Sequence, residues 1–182
     1  MENIGLVASG AVPTKIARAA SRLTEALLSE GKILCCGNGR SNALSQYFCS
    51  SLMNRFDQDR PSLPAINIGS DPTTFSSICR DNSFAETFSR QIRALGRRGD
   101  VLLLIVEAGH KPNQVQAVQA AHDREMDVIV ISAGQHTEIT SLMDAEDLHI
   151  ELERIAESEA GPVVLLTLNL LCQLIDQQLF GA

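Results

Sequence analysis

The stretch KILCCGNGRS, Lys32 to Ser41, runs from an apolar segment, Lys32 to Cys36, through a Gly-Asn-Gly turn to a serine able to cap a helix. The helix it opens carries Leu44, Tyr47, Phe48, Leu52 and Phe56 on its apolar side. A strand, a glycine turn and a helix in succession form the opening half of a βαβ unit. Upstream, Ile16, Ala20, Leu23 and Leu27 recur at helical spacing and predict a helix over about residues 14–29, ended by Gly31.

Downstream the alternation continues. Ala65 to Ile68 reads as a second strand, and Asp71 before Pro72 fits an N-cap with proline at the first helical position. Ser83-Phe-Ala-Glu86 fits a capping box opening a helix that Gly96 ends. Val101 to Val106 is apolar throughout, as a parallel strand buried on both faces must be, and a turn through Gly109 and Pro112 leads to a helix with Val115, Val118 and Ala121. Val128 to Ile131 is the next such strand. Leu148 to Leu152, interleaved with acidic residues, belongs at a sheet edge. The pattern predicts an α/β fold, a doubly wound three-layer sandwich around a mainly parallel five-stranded sheet.

The chain has 182 residues, 45% of them apolar, which suits one domain, 1–182, with residues 1–13 as a short N-terminal arm. Lys+Arg 15 against Asp+Glu 22 gives a net charge of -7, which argues against gripping phosphate backbones, so no direct nucleic-acid contact is expected. The five cysteines do not form the framework of a small secreted protein; Cys35 and Cys36 are adjacent, so in a strand they face opposite ways, and they read as buried hydrophobes. Glu2 stands where a signal peptide would be positive, and the apolar run from Val163 to Ile175 falls short of the roughly 20 residues that span a bilayer. A cytoplasmic protein without membrane contact is expected.

From about Pro162 to Phe180 the chain predicts a helix apolar on nearly every side, through Val163, Val164, Leu165, Leu166, Leu168, Leu170, Leu171, Leu174 and Ile175. A terminal helix of that kind needs cover from a second copy of the chain. We therefore expect a long C-terminal helix in the subunit interface of an oligomer.

In such a fold, Gly37, Asn38, Gly39 and Ser41 form a turn where backbone N–H groups and a helix N-terminus converge on an anion. The spacing departs from G-x-G-x-x-G, because Asn42 holds the third glycine position, and it lacks the G-K-[ST] of a Walker loop. A plain strand-to-helix turn explains it equally well. His122, His136 and His149 have no partners at metal-ligand spacing, and Arg90, Arg93, Arg97 and Arg98 gather at one helix C-terminus as a solvated, dipole-complementing cluster. No metal or cofactor is expected.

The longer segments CGNGRSNALSQYF, then NRFDQDRPSLPAINIGSDPTTFSSICRDNSFAETFSRQIRALGRRGDVLLLIVEAG, and finally LLCQLIDQQLFG resemble the SIS (sugar isomerase) family, in its phosphoheptose isomerase/DiaA subgroup. The resemblance runs from about Val12 to Phe180 and is strongest at NRF, RPSLPAI, QIRALG, GDVLL and LCQLID. It implies the SIS fold, and a phosphosugar pocket drawing on Gly37, Asn38, Gly39, Ser41, Asp71 and Lys111.

The isomerase reaction needs a base, a partner acid and a phosphate anchor. Enzymes of the subgroup carry A-Q-H-F-x-x-E on the helix after the first glycine loop; here Tyr47 stands for the His and Ser51 for the Glu. Where the family has S-T-x-G-N-S, this chain has Val106-Glu107-Ala108-Gly109-His110-Lys111. Glu107 there would repel a phosphate dianion by about 1 kcal/mol or more at ~4 Å even in high dielectric, an effect that Lys111 or protonated His110 would offset. On the terminal helix the family's Gln-Glu-x-His set aligns with Gly161, Pro162 and Val164, while Glu157 and Glu159 fall outside the helix if Pro162 starts it.

With these groups missing together, the resemblance implies a non-catalytic member that binds the replication initiator DnaA and promotes its assembly at the chromosomal origin as a homotetramer or dimer, with Leu179 and Phe180 as the contact. The same two residues would equally serve as a hydrophobic clamp ending the helix. The alternatives are phosphoheptose isomerase, acting on sedoheptulose 7-phosphate for lipopolysaccharide heptose synthesis, and a phosphosugar-binding regulatory module.

Overall fold

The sheet is built on β1 (Ile33–Gly37) and β3 (Val101–Val106), whose residues are all buried and which lie side by side, Ile33 beside Val101 through Gly37 beside Ile105. A computed structural model describes residues 5, 7, 8, 10–107, 109, 111–134, 137–152 and 155–181. β2 (Ala65–Asn67) pairs with the other edge of β1, and β4 (Asp127–Ala133) and β5 (Leu148–Leu152) extend the sheet beyond β3. Every pairing is parallel and the order is β2-β1-β3-β4-β5. β5 lies at an edge, and its buried and half-buried residues alternate, which is why His149 and Glu151 are tolerated there.

Two apolar layers cover the sheet. On one face α1 (Val12–Leu28), α2 (Arg40–Met53) and α7 (Glu157–Phe180) enclose Ile33, Cys35, Leu103 and Ile129. On the other, Phe88, Ile92 of α4 (Ser89–Leu95) and Ala117 and Val118 of α5 (Pro112–Asp123) close over Leu34, Cys36, Leu104 and Val130. Cys35 and Cys36 thus enter opposite layers, as the period of a strand requires. α3 (Pro72–Asp81) follows β2, and the short α6 (Thr137–Thr140) follows β4.

Several boundaries differ from the sequence reading, each for a local reason. Ser41 is not the cap of α2: Gly39 is, at φ +58°, and Ser41 lies inside the first turn. α1 does end before Gly31, but the left-handed residue is Glu30, at φ +62°, and Gly31 N–H donates to the Ala26 carbonyl at 2.8 Å in a Schellman closure. Gly31 is required because a Cβ there would lie 2.6 Å from the Gly99 carbonyl oxygen. The expected capping box at Ser83 is not formed; Phe84–Glu86 makes a single 3-10 turn, and the α-helix begins at Ser89.

The largest departure is α7, which starts at Glu157 with Pro162 inside it. Proline removes one hydrogen bond, to the Ser158 carbonyl, and Ser158 is exposed, so water can replace it. The helix from Ser158 to Phe180 is long and apolar enough to cross a membrane by length and composition. It packs instead on α1, α2 and β4, burying Val163, Val164, Leu168, Leu171, Cys172 and Ile175 and leaving Leu165, Leu166, Leu170 and Leu174 half-covered. Arg60, in the loop after α2, pins this helix: its Nε donates to Asp176 at 2.8 Å, and its other nitrogens donate to the Leu52 and Ser51 carbonyls.

Candidate functional site

Strand order reverses between β1 and β3: the chain leaves β1 for β2 on one side and later returns to β3 on the other. In open parallel sheets the crevice for a ligand opens at the carboxyl ends of the strands flanking such a reversal. Here the two ends are Gly37-Asn38-Gly39 and Glu107.

Gly37 lets α2 approach, since a Cβ on it would fall 2.6 Å from the Ser41 Cβ. Asn38 exchanges a reciprocal pair of amide hydrogen bonds with Asn113, both 2.9 Å, and Asn113 also donates to Thr87 Oγ1 at 3.1 Å. The glycine turn is therefore anchored to the N-terminus of α5. Ser41, 3% exposed, donates its hydroxyl to Glu107 Oε2 at 2.9 Å. Glu107 is only 6% exposed, and its other oxygen, Oε1, is buried with no hydrogen-bond partner among the described residues. That oxygen lies beside α7, 3.1 Å from the place a Cβ on Gly161 would take.

Asn38, Arg40, Ser41, Glu107 and Lys111 line a cavity of about 150 Å³. A second cavity of about 330 Å³, which shares Asn38, is lined by Gly37, Gly39, Asn42, Gly69 and Phe75. Gly37, Asn38, Gly39, Ser41 and Lys111 are thus gathered at the carboxyl end of the sheet, beside β1 and β3. Asp71 is exposed and caps α3, accepting from Thr73 N–H at 2.9 Å and from the Thr74 hydroxyl. Those bonds, the Thr74 hydroxyl first, hold its carboxyl below the usual range.

Tyr47 and Ser51 lie one turn apart on α2. The Tyr47 hydroxyl donates to Asn169 Oδ1 on α7 at 2.8 Å, and the Ser51 hydroxyl donates back to the Tyr47 carbonyl at 3.0 Å. Pro162 is exposed and Val164 fully buried on α7. Glu159, now inside that helix, is exposed.

The terminal pair divides: Leu179 is half-buried against the core, whereas Phe180 is 41% exposed at the end of α7, which Gly181 closes at φ +70°. His110 and His136 fall outside the described residues. His122 has a partner in Asp147 at 2.9 Å, and His149 has one in Ser132 at 2.7 Å, both within structural contacts. Arg90, Arg93 and Arg98 pair with Glu86, Asp123 and Glu125. Among the described residues no three His, Cys, Asp or Glu side chains are grouped to hold a metal ion.

Two features escaped the sequence. Asn113 carries no motif signal; only its position, beside a proline at a helix start, hints at a polar anchor. The Ser41–Glu107 bond joins residues 66 positions apart and becomes visible only through the register of β1 on β3.

Comparison with known proteins places these features in a family. A profile describing the SIS domain matches residues 10–133. Phosphoheptose isomerase of Chromohalobacter salexigens is 46% identical over 175 residues, covering 96% of this chain and 89% of that protein. The DnaA initiator-associating protein DiaA of Yersinia enterocolitica is 40% identical over 175 residues, with the same coverage of 96% and 89%. The solved structure of a phosphoheptose isomerase from Francisella tularensis superposes with a TM-score of 0.87 at 34% identity, over 91% of this chain and 86% of that one.

Proposed function

Because the chain belongs to the SIS domain family, we propose that it is a non-catalytic, cytoplasmic member that binds the replication initiator DnaA and promotes its assembly at the chromosomal origin. One observation carries this reading. The two α2 positions where an isomerase of the subgroup would place its imidazole and carboxylate hold Tyr47 and Ser51, whose hydroxyls bond Asn169 and the Tyr47 carbonyl. A phenol and a serine hydroxyl in those places leave the reaction without the imidazole and carboxylate that would serve as its base and acid.

The physical logic is multivalency. A symmetric tetramer, packed through the half-covered face of α7, presents several copies of one weak site and raises the local concentration of initiator molecules without touching DNA. The net charge of -7 suits a protein that leaves DNA to its partner. The proposed contact is Leu179-Phe180, with Phe180 the accessible member of the pair.

The second reading, phosphoheptose isomerase, is supported by the 46% identity to a protein of that name and by the presence of one buried carboxylate, Glu107, at the pocket. The deciding experiment measures binding of the purified protein to DnaA from the same organism, with Phe180→Ala beside the wild type. Specific binding that the variant loses supports the initiator role. Absence of binding at micromolar concentration, together with turnover of sedoheptulose 7-phosphate, would replace it with the isomerase.

A further inference from the structure

We infer that the initiator contact extends from Phe180 into a preformed groove between α7 and the loop after α2, where Asp57 receives a lysine or arginine of the partner's polypeptide; this rests on the DnaA reading and adds to it the chemistry of recognition.

The groove, about 320 Å³, is lined by Phe56, Asp57 and Gln58 on the loop and by Gln173, Asp176 and Gln177 on α7. Its two walls are tied to each other. Arg60, in the same loop, bonds Asp176 at 2.8 Å and the Leu52 and Ser51 carbonyls, and Phe56 packs on the core. A partner therefore meets an ordered surface and does not have to fix the loop as it binds. Gln173, Gln177 and Phe180 follow one another at helical spacing and all are exposed, so Phe180 stands on the same face of α7 as the groove and continues it to the end of the helix.

The lining leaves its polar groups unused. The side chains of Asp57, Gln58, Gln173 and Gln177 are exposed and take part in no hydrogen bond or ion pair among the described residues. Asp176 is 6% exposed and faces the Arg60 guanidinium, so Asp57 is the one uncompensated charge in the lining, and it is negative. Three side-chain amides, each able to donate and to accept, match the N–H and C=O groups of a polypeptide, and the carboxylate matches a cation carried beside them. An anionic ligand would meet Asp57 with no free cation in the lining to offset it. An aromatic anchor next to a polar, hydrogen-bonding groove has the make-up of a protein contact. The partner is a segment that sets an apolar side chain against Phe180 and a basic one against Asp57.

The test uses the full-length chain and DnaA from the same organism, with wild type, Phe180→Ala, Asp57→Asn, Asp57→Lys and Asp59→Lys, read by biolayer interferometry at low and at physiological ionic strength. Asp57 is exposed and unpaired, so its variants are expected to melt with the wild type. Asp57→Lys should weaken binding at least about tenfold and Asp57→Asn less, with the loss falling on the association rate and shrinking as salt rises. Asp59→Lys changes the net charge as much but lies outside the lining, and should bind like the wild type. Wild-type binding that Phe180→Ala loses and Asp57→Lys keeps would overturn the groove and leave the DnaA reading standing. An equal loss in Asp59→Lys would assign the effect to overall charge and overturn it as well. Absence of DnaA binding in the wild type would remove the reading and the groove together.

Discussion

The Tyr47 hydroxyl donates to Asn169 Oδ1 at 2.8 Å and so ties α2 to α7. Tyr47 is 38% exposed and Asn169 half-buried, so water competes for both groups. Tyr47→Phe should therefore lose only about 0.5–1 kcal/mol of stability in urea unfolding. A loss several times larger would mean that Tyr47 packs in a subunit contact as well.

Arg60 and Asp176 make a different kind of tie. Their side chains are 3% and 9% exposed and bond at 2.8 Å, and the same guanidinium satisfies the carbonyls of Leu52 and Ser51 at the end of α2. Asp176→Asn leaves the arginine charge buried beside a neutral amide, and Asp176→Ala leaves it with backbone carbonyls but no counter-charge. The alanine variant should lose about 3–5 kcal/mol, while the double change Arg60→Met with Asp176→Leu should recover much of that. Urea midpoints of the three proteins test the ordering. Equal stability of the single and wild-type proteins would show that the pair is idle.

Gly37 and Gly39 are required for separate reasons. A Cβ on Gly37 would sit 2.6 Å from the Ser41 Cβ and 2.8 Å from its carbonyl carbon, so Gly37→Ala must push the start of α2 away from the sheet. Gly39 has open space around it but sits at φ +58° and ψ -121°, a region open to glycine alone. Each alanine should destabilise by roughly 1–3 kcal/mol, one through overpacking and one through backbone strain. They should differ at the site: Gly37→Ala is expected to break the Ser41–Glu107 bond, visible in a crystal structure of the variant.

The sheet was legible because β1, β3 and the middle of β4, Val128 to Ile131, are buried on both faces and run apolar, whereas the edge position of β5 shows in its alternation. The start of α7 was not legible. Pro162 reads as a helix start, and only the exposed first turn explains why the helix continues upstream of it. In the same way, RPSLPAI and LCQLID stand out as separate motifs, and the structure shows Arg60 of one bonded to Asp176 of the other. The site's chemistry followed the same rule. Residue types at Tyr47, Ser51 and Glu107 could be read directly, but that Glu107 takes the Ser41 hydroxyl depends on the parallel register that sets Gly37 beside Ile105.

The cysteines offer a test of the two-layer core. Burial pushes the Cys35 and Cys36 thiols up, on opposite faces of the sheet, and pushes Cys172 on α7 up to about 12. The thiolate is the reactive form, so at pH 8 only about one Cys172 in 10⁴ is ready to react, before access is considered. Cys49 is also buried, whereas Cys79 on α3 is half-exposed. Brief iodoacetamide treatment of the native protein at pH 8 should label Cys79 first, with the other four labelled only after guanidinium unfolding. Peptide mass mapping reads the order. Labelling of Cys172 as fast as Cys79 in the folded protein would mean that α7 leaves the core, and would argue against its packing on α1 and α2.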